Sequence, residues 1–304
     1  MEYLPIIHSL NYDGRNLDVL RLDLIHPQYG GNKYFKLKYN LLAAQKLGLQ
    51  QTLTFGGAHS NHIYSTAALC QENGINSIAV IRGEENSIEQ SPTLQFALDC
   101  GMKLHFISRQ KYKNKSDENL VEELKQLFGD FYLVPEGGGN YEGVMGCAEI
   151  LNSDLKKYDY VFCACGTATT YSGIKISAEA NQKIIGISVL KGENKLIEAA
   201  NEWLTFFDSD PIKPSLSGTL NHSTILNEYH FGGYAKYSKE LVAFKKHFER
   251  EYSIPLDHIY TSKLFYAVFD LIKQQKLNQD ARILIVHSGG LQGNAGFEKR
   301  FGAK

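Results

Sequence analysis

Three stretches of this 304-residue chain set reactive or anion-seeking groups directly after glycine: GGNKYFKLKYN at 30–40, FGGAHSNH at 55–62 and CGTATTYSGI at 165–174. In the first, Gly30-Gly31 reads as a turn, Asn32 as an N-cap and Lys33 as the residue that opens a helix. A lysine beside the positive end of a helix is misplaced as a structural charge. The same field lowers its pKa, which favours a neutral amine able to act as nucleophile or Schiff-base former. A solvated lysine is the bland reading of that position, and Lys36 and Lys38, farther along the helix, read as solvated. In the second stretch an apolar run stops at two glycines and exposes Ser60, Asn61 and His62 where a helix begins, a place where a ligand can be held. In the third, Gly166 permits a tight turn. Thr167, Ala168, Thr169 and Thr170 are small enough for their N–H groups to approach an anion at a helix start, and the threonine hydroxyls add donors. A plain helix cap explains that loop equally well. It lacks the Lys-Ser/Thr ending of a nucleotide P-loop and the later glycines of a dinucleotide fingerprint.

Combined, an amine nucleophile, a Gly/Thr anion cradle and a Ser-Asn-His turn are what pyridoxal 5'-phosphate requires. Lys33 carries the aldehyde, Gly166 to Thr170 take the phosphate, and an amide such as Asn61 bonds the ring hydroxyl. Ser60, Asn61 and His62 then seat a substrate carboxylate. No metal site is expected. His59 and His62, three apart, read as loop histidines, and Cys163 and Cys165 as small buried residues on one strand face, because neither pair has further ligands beside it.

Positioning these groups requires strands that end where the glycines begin. Short apolar runs at 52–55, 77–81, 103–107, 131–134, 160–164, 184–189 and 283–287 read as strands. Between them lie helical patterns such as YFKLKYNLLAAQKLG, HIYSTAALCQENG, SPTLQFALDCG, ENLVEELKQLFG and AVFDLIKQQ, several of them ending in glycine. This alternation indicates an α/β fold with two open, mostly parallel twisted sheets and flanking helices. In such sheets ligands gather beyond the carboxyl ends of strands. Three strands run into FGGAHSNH, CACGTATTYSG and VHSGGLQG, each followed by a helix. Composition marks no domain boundary.

A net charge of -1 offers no electrostatic footprint for nucleic acid or an anionic membrane. No run of 18 apolar residues exists and MEYLPIIHSL lacks the features of a signal peptide. The five cysteines then read as reduced thiols, and a cytoplasmic location is expected. The lysine-rich KYKNKSDENL at 111–120 reads as a solvated face, and Trp203, on an amphipathic segment, as a packing residue.

The segments also resemble a known family. GGNKYFKLKYNL is similar to the G-G-N-K-x-R-K-L-E segment of the pyridoxal-phosphate enzymes that include 1-aminocyclopropane-1-carboxylate deaminase and D-cysteine desulfhydrase. HSNHIYSTAA resembles their S-N-H/Q-x-R-Q-T-A-A segment and CGTATTYSGI their G-S-G-G-T-H-A-G-L loop. IYTSK at 259–263 resembles V-Y-T/E-G-K, and HSGG at 287–290 resembles H-T-G-G. The resemblance implies the tryptophan-synthase-β type of fold, with residues 1–48 and 155–304 as a large domain and 49–154 as a small mobile one. It implies a homodimer. It makes Lys33 the Schiff-base lysine, Ser60 and Asn61 the substrate-carboxylate and ring-hydroxyl contacts, Thr167 to Thr170 the phosphate loop, and Tyr260 an active-site tyrosine. Tyr234, 26 residues earlier, falls at the interval of a second such tyrosine. Core packing is the alternative for both. Phe35, Lys38 and Thr169 depart from the family pattern, and Thr169 in place of glycine asks that backbone to avoid positive φ.

The reaction turns on Thr261 and Ser288. Where the deaminases carry Glu, Thr261 is neutral. A neutral hydroxyl facing the pyridine nitrogen leaves the ring unprotonated and a weaker electron sink. That suits loss of a β-leaving group better than opening a cyclopropane. The expected activity is therefore α,β-elimination from a small amino acid such as D-cysteine. The alternatives are cyclopropane deamination, a serine or threonine dehydratase, and a non-catalytic protein that binds pyridoxal phosphate or an amino acid.

Overall fold

Asp13-Gly14 reverses the chain at φ +52° and +75°, the pair of positive values that a two-residue hairpin turn needs. It joins β1 (Ile7–Tyr12) to β2 (Arg15–Arg21) as an antiparallel pair in the computed structural model, which describes residues 3–84, 88–192, 194–208 and 224–301. The other strands are β3 (Gln51–Gly56), β4 (Asn76–Arg82), β5 (Lys103–Ile107), β6 (Tyr132–Val134), β7 (Tyr160–Cys165), β8 (Lys183–Ser188), β9 (Ile225–Leu226) and β10 (Ile283–His287). All seven expected strands are present. The hairpin was not foreseen, although the Asp-Gly pair between alternating residues is a legible turn signal. The helices are α1 (Asn32–Lys46), α2 (Asn61–Glu72), α3 (Pro92–Asp99), α4 (Arg109–Lys113), α5 (Glu118–Phe128), α6 (Tyr141–Ala148), α7 (Thr169–Ile176), α8 (Lys195–Asp208), α9 (Lys239–Tyr252), α10 (Thr261–Lys273) and α11 (Gly293–Phe301).

The chain divides into two compact units, each discontinuous in sequence: Met1–Asn32 with Val144–Leu291, and Lys33–Gly143 with Gln292–Lys304. This differs from the division expected at 48/49 and 154/155. Helix α1 and the C-terminal segment belong with the smaller sheet because their side chains and glycines pack there. A Cβ on Gly138 would sit 3.1 Å from the Lys36 Cβ, and one on Gly296 would sit 3.1 Å from the His59 ring.

The first unit holds a six-stranded sheet in the order β1-β2-β10-β7-β8-β9, parallel except for the hairpin. Every residue of β7 and β10 is buried, as expected of central parallel strands covered on both faces. Leu17, Val19, Phe162, Ile283 and Ile285 pack against Leu264, Phe265 and Val268 of α10 and Phe248 of α9. The second unit holds a parallel sheet in the order β5-β4-β3-β6. Strand β4 shows the period of two directly. Ile78 and Val80 meet Leu120 and Leu124 of α5, while Ala79 and Ile81 meet Ile63 of α2 and Leu94 of α3. Trp203 packs with Phe206 and Phe207 on α8. Among the described residues no helix is long and apolar enough to cross a membrane.

Candidate functional site

In the first unit, β10 lies parallel to β7, with Ile283 opposite Tyr160 and Ile285 opposite Phe162. Both strands therefore deliver their carboxyl-terminal loops, Gly166–Thr170 and Ser288–Gly290, to the same end of the sheet. Gly166 leads into the start of α7, and a Cβ there would stand 3.1 Å from the Tyr260 ring. Ala168 takes the left-handed conformation at φ +58°, so Thr169 avoids positive φ as expected and its neighbour adopts it instead. The first turn of α7 receives no side-chain cap. The Thr167 and Thr169 hydroxyls lie 3.0 Å apart, and Asn32 Nδ2 donates to Thr170 Oγ1 at 2.8 Å. Asn32 is thus not the expected N-cap of α1. It is the first helical residue, its side chain is committed to Thr170 and its N–H donates to the Ser288 carbonyl at 3.1 Å. A Cβ on Gly31 would fall 2.3 Å from that carbonyl oxygen, which explains glycine at this position.

Tyr234 and Tyr260 form an edge-to-face pair with centroids 6.2 Å apart. Two buried ionic groups hold their surroundings, and neither was singled out in the sequence. Asp257 accepts from the N–H groups of Ile259, Tyr260 and Thr261 at 2.7–2.9 Å. It also accepts from the Thr261 hydroxyl at 2.8 Å. The same hydroxyl oxygen accepts from the Asp257 N–H at 2.7 Å, so the Thr261 side chain, fully buried, belongs to the cap of α10. The expectation that this hydroxyl faces a pyridine nitrogen meets that commitment: its one hydrogen is already given to a carboxylate. Lys263, also fully buried, donates to the carbonyls of His230 and Gly233 at 2.8 Å each and of Val189 at 3.4 Å. Burial pushes its ammonium down to about 8, with the Asp257 carboxylate partly opposing. At the end of β10, His287 Nδ1 stands 3.0 Å from Asp23, and Asp23 pairs with Arg21 through both oxygens at 2.6 and 2.8 Å. Hydrogen bonds from Arg21 and His287 hold the Asp23 carboxyl well below the usual range despite its burial.

In the second unit, β3 and β6 run parallel, and their loops, 57–60 and 135–140, leave the same end of that sheet. Ser60 caps α2, its Oγ accepting from His62 N at 3.2 Å and Ile63 N at 3.4 Å. Its hydroxyl hydrogen stays available to an acceptor. A Cβ on Gly293 would lie 3.1 Å from Asn61 Oδ1. His62 is not a loop histidine: it sits in the first turn of α2, 3% exposed, with Nε2 2.8 Å from Thr54 Oγ1. Burial, then the neighbouring Lys33 and Lys36, hold its pKa well below the ordinary value, so it is neutral.

Lys33 Nζ donates to the Gly137 carbonyl at 3.3 Å, and Lys36 Nζ to the same oxygen at 3.2 Å. Lys36 is 2% exposed, which corrects the expectation that it is solvated. Positions i and i+3 share a helix face, so the residue three beyond a buried-facing lysine is buried with it. The receiving loop, PEGGGN, carries Gly137 and Gly138 at φ +73° and +69°. It is a fourth strand-to-glycine loop, and its sequence already carried the signal. An Asn40–Asn140 amide pair at 2.7 and 3.1 Å secures α1 to it.

Within the second unit, a lysine amine held beside a second ammonium suits an aldehyde; within the first, an uncapped helix start behind a glycine that a tyrosine ring presses against suits a phosphate. Residues 5–289 match the family described as "Pyridoxal-phosphate dependent enzyme", and the chain belongs to that family, with pyridoxal phosphate as its cofactor and the fold of its type II members. Among curated proteins it is 29% identical over 305 residues to a Pyrococcus abyssi protein named "Putative 1-aminocyclopropane-1-carboxylate deaminase", covering 96% of this chain and 89% of the other. A Thermotoga maritima protein of the same name is 26% identical, covering 92% and 90%. Among solved structures, an "ACC deaminase homologue" superposes with a TM-score of 0.75 at 28% identity, over 92% of this chain and 86% of that one. A hydrogen sulfide-producing enzyme from Fusobacterium nucleatum, at 18% identity and a TM-score of 0.62 over 94% and 92% of the two chains, shares the fold.

Proposed function

We propose that this enzyme is a lyase that removes ammonia from a small amino acid by α,β-elimination, with D-cysteine as the model substrate. The observation that carries the reading is Thr261, a neutral side chain whose hydroxyl hydrogen goes to Asp257. This position therefore offers no acid to keep a pyridine nitrogen protonated. When bound, pyridoxal phosphate supplies an aldehyde for the substrate amine and a ring that accepts electron density from the α-carbon. Lys33 would hold the aldehyde, and its amine, when free, would accept the α-proton of the substrate. The uncapped start of α7, with Gly166, Thr167, Ala168, Thr169 and Thr170, takes the phosphate, and Asn61 bonds the ring hydroxyl. Ser60 donates its remaining hydrogen to the substrate carboxylate. Tyr260 and Tyr234 flank the reacting group, and Ser288 lines the cofactor ring. The thiolate leaves from the β-carbon, and water completes the hydrolysis, so D-cysteine and water give pyruvate, ammonia and hydrogen sulfide. A homodimer with a mobile smaller unit belongs to the same reading.

The edge-to-face tyrosine pair, and the names of the relatives, favour 1-aminocyclopropane-1-carboxylate as a second substrate, which would yield 2-oxobutanoate. Purified protein reconstituted with pyridoxal phosphate separates the two. Pyruvate and sulfide from D-cysteine, together with a visible absorption band that Lys33→Ala lacks, support elimination. Turnover of the cyclopropane alone overturns it in favour of the second reading. Turnover of L-serine but not of the D-amino acids would indicate a dehydratase.

A further inference from the structure

His62 has two ring nitrogens, and the hydrogens around it can be counted. Thr54 Oγ1 lies 2.7 Å from the Val134 carbonyl oxygen, which can only accept, so the single hydroxyl hydrogen goes there. The same oxygen lies 2.8 Å from His62 Nε2, and having no second hydrogen it must accept from that nitrogen. Nε2 therefore carries the proton. Nδ1 is buried and has no hydrogen-bond partner among the described residues. An unpartnered buried ring nitrogen is costly, and in a native protein it calls for a group that completes it.

We infer that His62 is a positioning residue that serves as a fixed hydrogen-bond acceptor: locked as the Nε2–H tautomer by Thr54 and Val134, it receives through Nδ1 an N–H of the Lys33 side chain. The inference rests on the proposed role of Lys33 and deepens it. The surroundings favour an amine over a carboxylate. The charged groups facing the ring are Lys33 and Lys36, both on α1. Strands β3 and β6 and the glycine loop present Thr54, the Val134 carbonyl and Gly138, none of which titrates near neutrality; a Cβ on Gly138 would lie 3.7 Å from His62 Cε1 and 3.1 Å from Lys36 Cβ. A bare Nδ1 repels a carboxylate. The substrate carboxylate thus falls to Ser60, Asn61 and nearby N–H groups, and His62 orients the lone pair of the Lys33 amine by taking one of its hydrogens.

The test uses the full-length apoprotein labelled with nitrogen-15 in histidine. Two-bond proton–nitrogen correlations should show His62 as one protonated and one bare nitrogen at neutral pH, unchanged as the pH is raised. Thr54→Val should abolish that fixed pattern. An imidazolium signal at neutral pH, or a proton on Nδ1, overturns the inference. This outcome is independent of any activity, so it stands even if the proposed substrate fails. In holoenzyme, His62→Leu should lower kcat about ten- to a hundredfold with a smaller change in KM, and His62→Gln, which supplies both a donor and an acceptor, should recover most of that loss. Equal losses in the Gln and Leu variants would overturn the acceptor role.

Discussion

Gly31 and Gly48 show how one residue type is required for different reasons. Both have positive φ, +102° and +71°, but a Cβ on Gly31 would strike the Ser288 carbonyl at 2.3 Å while one on Gly48 meets nothing within 4 Å. Gly48→Ala should therefore cost about 1 kcal/mol from backbone conformation alone, whereas Gly31→Ala should cost about 3 kcal/mol or more because backbone must move. Urea denaturation of both variants checks the difference; equal costs would mean that the Gly31–Ser288 contact relaxes freely. At this scale Lys33, Ser60 and Asn61 were legible because their types are unusual beside glycine. Burial of Lys36 and His62 leaves no local signal, because it depends on what faces each side chain: the Gly137 carbonyl, 101 residues beyond Lys36, and Thr54, itself bonded to the Val134 carbonyl, at His62.

Capping and clamping residues act at the scale of elements. Asp257 gathers three N–H groups and a hydroxyl at the start of α10, directly ahead of which Tyr260 sits. Asp257→Ala should cost about 2–4 kcal/mol and raise hydrogen exchange at residues 259–262 before the strands of that unit are affected. Thr261→Val should cost about 1–2 kcal/mol, and an unchanged stability would contradict the cap. Lys263 ties together loop carbonyls at 189, 230 and 233, in a segment where Phe231, Gly232, Gly233 and Ala235 all have positive φ. Its folded pKa of about 8 lies below the ordinary 10.5, so between these values the unfolded chain holds a proton that the folded one has released. The contribution of this group to stability therefore rises with pH across that window and is lost as pH falls through about 8, with an upper bound on the order of 3 kcal/mol. Wild type minus Lys263→Met, compared by denaturation at about pH 7.5 and about pH 10, should show the difference growing with pH. In the sequence, IYTSK offered Tyr260 and Thr261 as ligand contacts. That Thr261 turns to Asp257 depends on the cap geometry, which periodicity does not encode.

For the whole molecule, the discontinuous units make a prediction that a linear reading misses. Helix α11 belongs with α1–α5, where Gly293 and Gly296 approach Asn61 and His59. Removing residues 292–304 should accelerate hydrogen exchange at 57–62 about tenfold or more while the six-stranded sheet keeps its protection, as expected when a local support is lost without global unfolding. Unchanged exchange at 57–62 would show that α11 does not support this turn. The sequence by itself determined the α/β class, every strand but the two of the hairpin and the short β9, and the glycine-bearing loops that end three of them, because these follow from local periodicity and from the scarcity of residues that can make tight turns. It also marked Lys33 and the Gly/Thr loop as the candidate groups for cofactor chemistry. The tertiary structure alone decided that Lys36 is buried, that His62 is a neutral acceptor, that Thr261 is spent on a helix cap and that the C-terminal helix lies against His59 and Asn61. Each of these depends on desolvation or hydrogen bonding by groups distant in sequence, and neither effect has a local pattern to read.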